Sequence, residues 1–192
     1  MDDAAYLARL RTYWKQHQAF PSMGKLTAVV GLSSTSSVFA LVGRLTEAGY
    51  LERVDGRIAP SRRFFARPLL GRVRAGQPEP ASQEAPDVLT IDDFLIDDPN
   101  RTALVTVRGD SMTGAGLQDG DLVVVETNAA TKPGDIVVAV VDGEMTVKTL
   151  RLDRKGQFFL EAANQAYQPI RPQGSLEIIG VVIGSFRRFR RK

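Results

Sequence analysis

Residues 67–87, RPLLGRVRAGQPEPASQEAPD, mix proline, glycine, alanine and polar residues. That is linker composition. The tract divides a 192-residue chain into two segments, each of small-domain size. The reading is an α+β protein of two domains: a mainly helical domain over 1–66, a linker over 67–87, and a β-rich domain over 88–192.

The first segment has helical spacing. Leu7, Leu10 and Trp14 recur at i, i+3 and i+7, which predicts a helix over 3–18. Ser22 after Pro21 is an N-cap signal, Leu26, Val29 and Val30 form a stripe, and Gly31 stops the helix. Ser34 or Thr35 can cap a third helix, buried through Val38, Leu41, Val42 and Leu45 and ended by Gly49. Two β-prone runs then flank Asp55-Gly56, a two-residue hairpin signal because both residues tolerate φ > 0. Helix, helix, turn, helix, hairpin is the order of a winged helix-turn-helix.

Beyond the linker the pattern changes to strands, at 103–108, 122–126, 136–141, 145–150, 158–162 and 178–185. Asp119-Gly120, Pro133-Gly134, Asp142-Gly143 and Lys155-Gly156 supply the turns between them. A strongly bent sheet or partial barrel is expected.

Charge divides the chain in the same way. Residues 1–74 carry 12 Lys/Arg against 5 Asp/Glu, and residues 75–186 carry 8 against 17. The basic part can face nucleic acid. The closing hexapeptide RRFRRK adds five cations beside Phe186 and Phe189; it reads either as a solvated tail or as an added contact to DNA or an acidic partner. The longest apolar runs fall far short of the roughly 18–20 residues of a membrane span, so no membrane partner is expected. The start, MDDAAYLARL, is no secretory signal. Absence of cysteine excludes disulfides and thiolate metal sites. Asp119 and Asp121 around Gly120 read as a turn before a strand, so no metal and no cofactor is expected. Trp14 reads as core packing and His17 as exposed at a helix end.

The stretch TVRGDSMTGAGLQDGD sets Ser111 between a strand and a glycine cluster. The sole histidine, His17, is remote in sequence, so a serine nucleophile there needs another base. Lysine can serve if it is neutral. With a free pKa near 10.4, only about 0.04% is neutral at pH 7, and bringing it near 7 takes roughly 4.6 kcal/mol. Burial on a strand can supply that. Of Lys132, Lys148 and Lys155, the first and last precede Pro-Gly or Gly turns. Lys148, in EMTVKTLRL, shares a strand face with Thr146 and Leu150. The alternative is an exposed lysine on an edge strand.

GDSM, DGD, TVK 37 residues after the serine, and an upstream Ala-Gly together resemble the LexA repressor family, with features of a divergent second member. PLLGRVRAG (68–76) resembles its cleavage segment, and GYLE (49–52) the end of its recognition helix and first wing strand. The resemblance implies a winged helix-turn-helix joined to a LexA/signal-peptidase-like domain. It makes Ser111 the nucleophile, Lys148 the base, and Ala75-Gly76 the bond cut in cis. Backbone N–H groups of Asp110, Ser111 or Met112 would hold the oxyanion. It further implies a cytoplasmic, nucleoid-bound homodimer, contacting through 178–186. Such a dimer represses DNA-damage (SOS) genes at operator DNA until a RecA–single-stranded DNA filament triggers cleavage. Ser34, Thr35, Ser36 and Ser37 would reach base edges, Phe39 would contact a thymine methyl or pack inward, and Arg44, Arg53 and Arg57 would touch phosphates. The alternative function is a winged-helix regulator, phage-repressor-like, whose protease domain does not fire or answers another trigger.

Overall fold

The computed structural model describes residues 2–69 and 87–189. They form two units, Met1–Phe94 and Leu95–Lys192. Ala75 and Gly76 lie outside the described residues.

The first unit begins with α1 (Asp3–His17), whose N-cap Asp2 accepts from the Ala4 N–H. α2 (Met23–Val30) starts after Ser22, which holds the N-cap position without a side-chain cap bond. Gly31, at φ 73°, ends α2. α3 (Thr35–Glu47) is capped by the Ser34 hydroxyl, which accepts from the Ser37 N–H. α2 and α3 meet at 90°, the geometry of a helix-turn-helix. Their shared core holds Leu7, Leu10, Leu26, Val30, Val38, Leu41, Leu45 and Phe64, with Trp14 packed against it and partly covered. His17 is exposed at the end of α1.

The wing is β1 (Leu51–Val54) paired with β2 (Arg57–Pro60). Asp55 at φ 49° and Gly56 at φ 75° both lie in the left-handed region, as a tight two-residue hairpin requires. α4 (Arg62–Phe65) then inserts Phe64 into the helical core. β3 (Arg67–Leu69) pairs antiparallel with β4 (Asp87–Leu89), so both ends of the expected linker share one short ladder. α5 (Ile91–Leu95) follows.

The second unit is one antiparallel sheet. In chain order its strands are β5 (Thr102–Thr106), β6 (Leu122–Thr127), β7 (Ile136–Val141), β8 (Glu144–Leu152), β9 (Phe158–Glu161) and β10 (Leu176–Phe186). The spatial order is β5-β6-β10-β7-β8-β9. β7 buries both faces: Val138 joins a core with Val107, Met112 and Val125, while Val137 and Ala139 join Leu150 and Leu160. That explains its unbroken apolar sequence, IVVAVV. β10 runs inside the sheet. β7 pairs with its residues 176–181 and β6 with its residues 180–186, so from Val182 onward one edge is open among the described residues. A bulge between Val182 and Gly184 shifts its register on β6.

No single helix among the described residues is long and apolar enough to cross a membrane.

Candidate active site

Lys148 lies in β8, directly across the ladder from Val137, which is fully buried. Side chains of a strand alternate, so Lys148 shares a face with Thr146 and with buried Leu150. Its relative exposure is 7%. Burial pushes its pKa below the ordinary lysine value of 10.5, because removal from water disfavours the charged amine. The Nζ has three partners: Ser111 Oγ at 2.9 Å, Thr146 Oγ1 at 3.0 Å and the Val147 carbonyl at 3.0 Å. A charged ammonium donates to all three. A neutral amine has two N–H groups and one lone pair, so it can donate twice and accept the Ser111 hydroxyl proton.

Ser111 sits in the loop between β5 and β6. Val107 N–H donates to the Asp121 carbonyl at 2.8 Å, and Gly120 N–H to the Val107 carbonyl at 2.9 Å, closing the loop at its base. Met112, next to the serine, is 1% exposed and anchors the loop in the core. Gly109, at φ 81°, makes the turn that presents the loop, and its N–H donates to Asp119 Oδ1 at 2.8 Å. Among the described residues the backbone N–H groups of Asp110, Ser111 and Met112 donate to no backbone carbonyl. A cavity of about 200 Å³ opens beside the pair, lined by residues 105–108 and 145–148.

Two further contacts hold the loop, and neither is visible in local sequence. On one side the segment 163–167 straps it. Tyr167 OH donates to Asp110 Oδ1, Asn164 Nδ2 to the Asp110 carbonyl at 3.1 Å, and Gly114 N–H to the Ala163 carbonyl at 2.7 Å. Gly114 is required there: a Cβ would lie 2.2 Å from the Ala163 oxygen. On the other side Arg187 meets Asp121 through two bonds, Nε to Oδ1 at 2.5 Å and Nη2 to Oδ2 at 2.6 Å. Asp121 is 2% exposed. Arg187 holds its carboxyl down to about 2, helped by the Gln118 N–H. Arg187 is thus committed to an ion pair within its own unit, where a solvated tail or a contact to DNA or an acidic partner was the expectation.

Over residues 68–183 the chain matches the family model of Peptidase S24-like proteins. It is 34% identical over 195 residues to the LexA repressor of Pelotomaculum thermopropionicum, covering 96% of this chain and 95% of that one. It is 36% identical over 194 residues to LexA repressor 1 of Nocardia farcinica, covering 93% and 88%. The chain belongs to the LexA repressor family.

The span matched to the S24 family contains Ser111, Lys148, Asp121 and Tyr167, and ends before Arg187. The LexA likeness extends further, over the winged unit. There the residues picked from sequence as DNA contacts divide into two groups. Thr35, Ser36, Ser37 and Phe39 are exposed on α3, and Phe39 is 55% exposed rather than packed inward. Arg53 and Arg57 are exposed on the wing. Ser34 is only partly exposed and spends its hydroxyl on the cap and on the Ser36 and Ser37 hydroxyls, at 3.1 Å and 2.7 Å, so those two hydroxyls are shared with it as well as exposed. Arg44 is held by Asp3 through bonds of 2.9 Å and 2.8 Å, so a phosphate contact there first requires breaking that pair.

Proposed function

We propose that this LexA-family protein represses DNA-damage genes and inactivates itself by cutting its own Ala75-Gly76 bond. The observation that carries the reading is a buried lysine amine 2.9 Å from a serine hydroxyl. Ser111 Oγ attacks the Ala75 carbonyl carbon as its proton passes to Lys148 Nζ. The oxyanion takes the unengaged backbone N–H groups around Ser111. Nζ then returns the proton to the Gly76 nitrogen, and that amine leaves. Water, activated by the again-neutral Lys148, hydrolyses the Ser111 ester. The products are a carboxylate at Ala75 and a free Ser111.

The substrate is an extended peptide. β9 pairs only with residues 149–152 of β8, so the edge of residues 144–148 beside Lys148 is unpaired among the described residues and can receive a strand. Tethering provides the high effective concentration that a weakly held substrate needs.

In this reading α3 enters the major groove of operator DNA, with Thr35, Ser36, Ser37 and Phe39 at base edges and Arg53 and Arg57 on phosphates. Two copies join through the open edge of β10, and the protein works at the bacterial nucleoid in the cytoplasm. Pairing two weak half-site readers gains roughly 10²- to 10⁴-fold in avidity. A cut at Ala75-Gly76 forfeits that gain. A RecA–single-stranded DNA filament favours the cleavable state.

The test is incubation of the purified chain at pH 9 to 10, with mass spectrometry of the products. Two fragments meeting at Ala75-Gly76, absent in Ser111→Ala, support the reading. An intact chain, alone and with RecA filaments, would leave a winged-helix regulator whose protease does not fire.

A further inference from the structure

We propose that Arg187 is a positioning residue for Ser111, tying the C-terminal strand to the turn on which the nucleophile is mounted. This rests on the reading of Ser111 as nucleophile. The bulge in β10 sets which side chain meets Asp121. Up to Val182 the strand pairs Val182 with Val125; beyond it, Gly184 pairs with Val124 and Phe186 with Leu122. The extra residue therefore brings Arg187, instead of Phe186, opposite Asp121. Without it every later side chain of β10 would be displaced by one position and point to the other face.

Delivered there, one guanidinium grips both ends of the turn that returns the loop to β6. Nη2 reaches the Gly116 carbonyl at 3.2 Å as well as Asp121, and Asp121 Oδ2 in turn accepts from the Gln118 N–H at 2.8 Å. The same turn is stitched to the serine: Leu117 N–H donates to the Met112 carbonyl at 3.2 Å, and Met112 adjoins Ser111. Lysine, a single point charge, cannot reproduce this planar fork. The guanidinium touches neither Ser111 nor Lys148, so it acts on where the hydroxyl stands and not on the charge of its base.

The test uses the full chain as wild type, Arg187→Gln, Arg187→Lys and the double variant Asp121→Asn/Arg187→Gln. The double variant leaves no buried carboxylate unpaired, so it stays folded even if Arg187→Gln does not. Self-cleavage and fluorophosphonate labelling of Ser111 are followed against pH, and hydrogen exchange of residues 109–121 is followed alongside. The expected result is faster exchange in that segment, cleavage and labelling slowed by roughly 100-fold in the double variant, partial recovery in Arg187→Lys, and an unmoved pH midpoint. Wild-type rates in the double variant would overturn the proposal, as would a midpoint that shifts with the rate. Should wild type itself neither cleave nor label, the nucleophile reading fails; unchanged exchange across 109–121 would separately refute the hold of Arg187 on the loop.

Discussion

Thr146 and Lys148 stand side by side on β8, with Thr146 Oγ1 3.0 Å from Lys148 Nζ. Together with the Val147 carbonyl, the hydroxyl takes the two N–H groups of a neutral amine, which leaves the lone pair aimed at Ser111. Thr146→Val removes one acceptor. The charged amine loses a stabilising bond, so the midpoint of the cleavage pH profile moves down, while the plateau rate falls as the lone pair loses its orientation. Single-turnover cleavage rates from pH 7 to 11 check both.

In the unaltered chain the same profile rises about tenfold per pH unit and levels below 10.5, since burial lowers the Lys148 pKa. Lys148→Arg is charged throughout this range and loses cleavage by at least about 10² at every pH.

Stability follows the same proton with a defined sign. Below its lowered pKa the folded protein must hold a charged amine out of water, whereas the unfolded chain holds the proton freely up to 10.5. The unfolded state therefore binds more protons in that window, and stability rises with pH across it. Lys148→Met is more stable than wild type at neutral pH, and its advantage shrinks toward pH 10.5. Denaturant titrations of both proteins at several pH values measure this.

Tyr167→Phe deletes the hydroxyl that holds Asp110. Cleavage slows by about tenfold with an unmoved pH midpoint, because the strap positions the loop without touching Lys148. Cleavage rates with a parallel thermal melt distinguish this from loss of fold.

Operator binding divides by charge. Arg53→Ala and Arg57→Ala each weaken binding and reduce the salt slope by about 1. Phe39→Ala weakens it by roughly tenfold at an unchanged slope, and replacing thymine by uracil in the half-site has the same effect on wild type but none on the variant. Titrations over a range of salt, on a site selected from random DNA, read all of these.

Much of the framework is legible from residue order because its causes are local. IVVAVV is β7 to the residue, and Asp55-Gly56 can only be a tight turn. Lys148 stands out by elimination, since Lys132 and Lys155 precede Pro-Gly and Gly turns, but its burial does not: an exposed lysine on an edge strand fits the same residues. The bracing of Ser111 is not legible. Asp121 does sit in the expected turn, with its N–H on the Gln118 carbonyl, but its carboxylate meets Arg187 from 66 residues away. Tyr167 reaches Asp110 across 57 residues. Such pairs depend on sheet register, and here on a bulge, which no local pattern encodes. The end of α1 is not legible either: Gln18 closes it at φ 49°, a left-handed conformation that residue order alone would assign to glycine or asparagine.

The helical unit and the sheet keep separate apolar interiors: Leu41 and Phe64 belong to one, Val125 and Leu160 to others. Leu41→Ala should accordingly destabilise the first unit by about 2–5 kcal/mol and leave melting of the second unchanged. A break at Ala75-Gly76 falls after Phe64, the last buried residue of the helical interior, and before Val107, the first of the others, so it interrupts neither. If the chain cuts itself as proposed, both halves outlive the cut as folded bodies, and the protein is disarmed without being denatured.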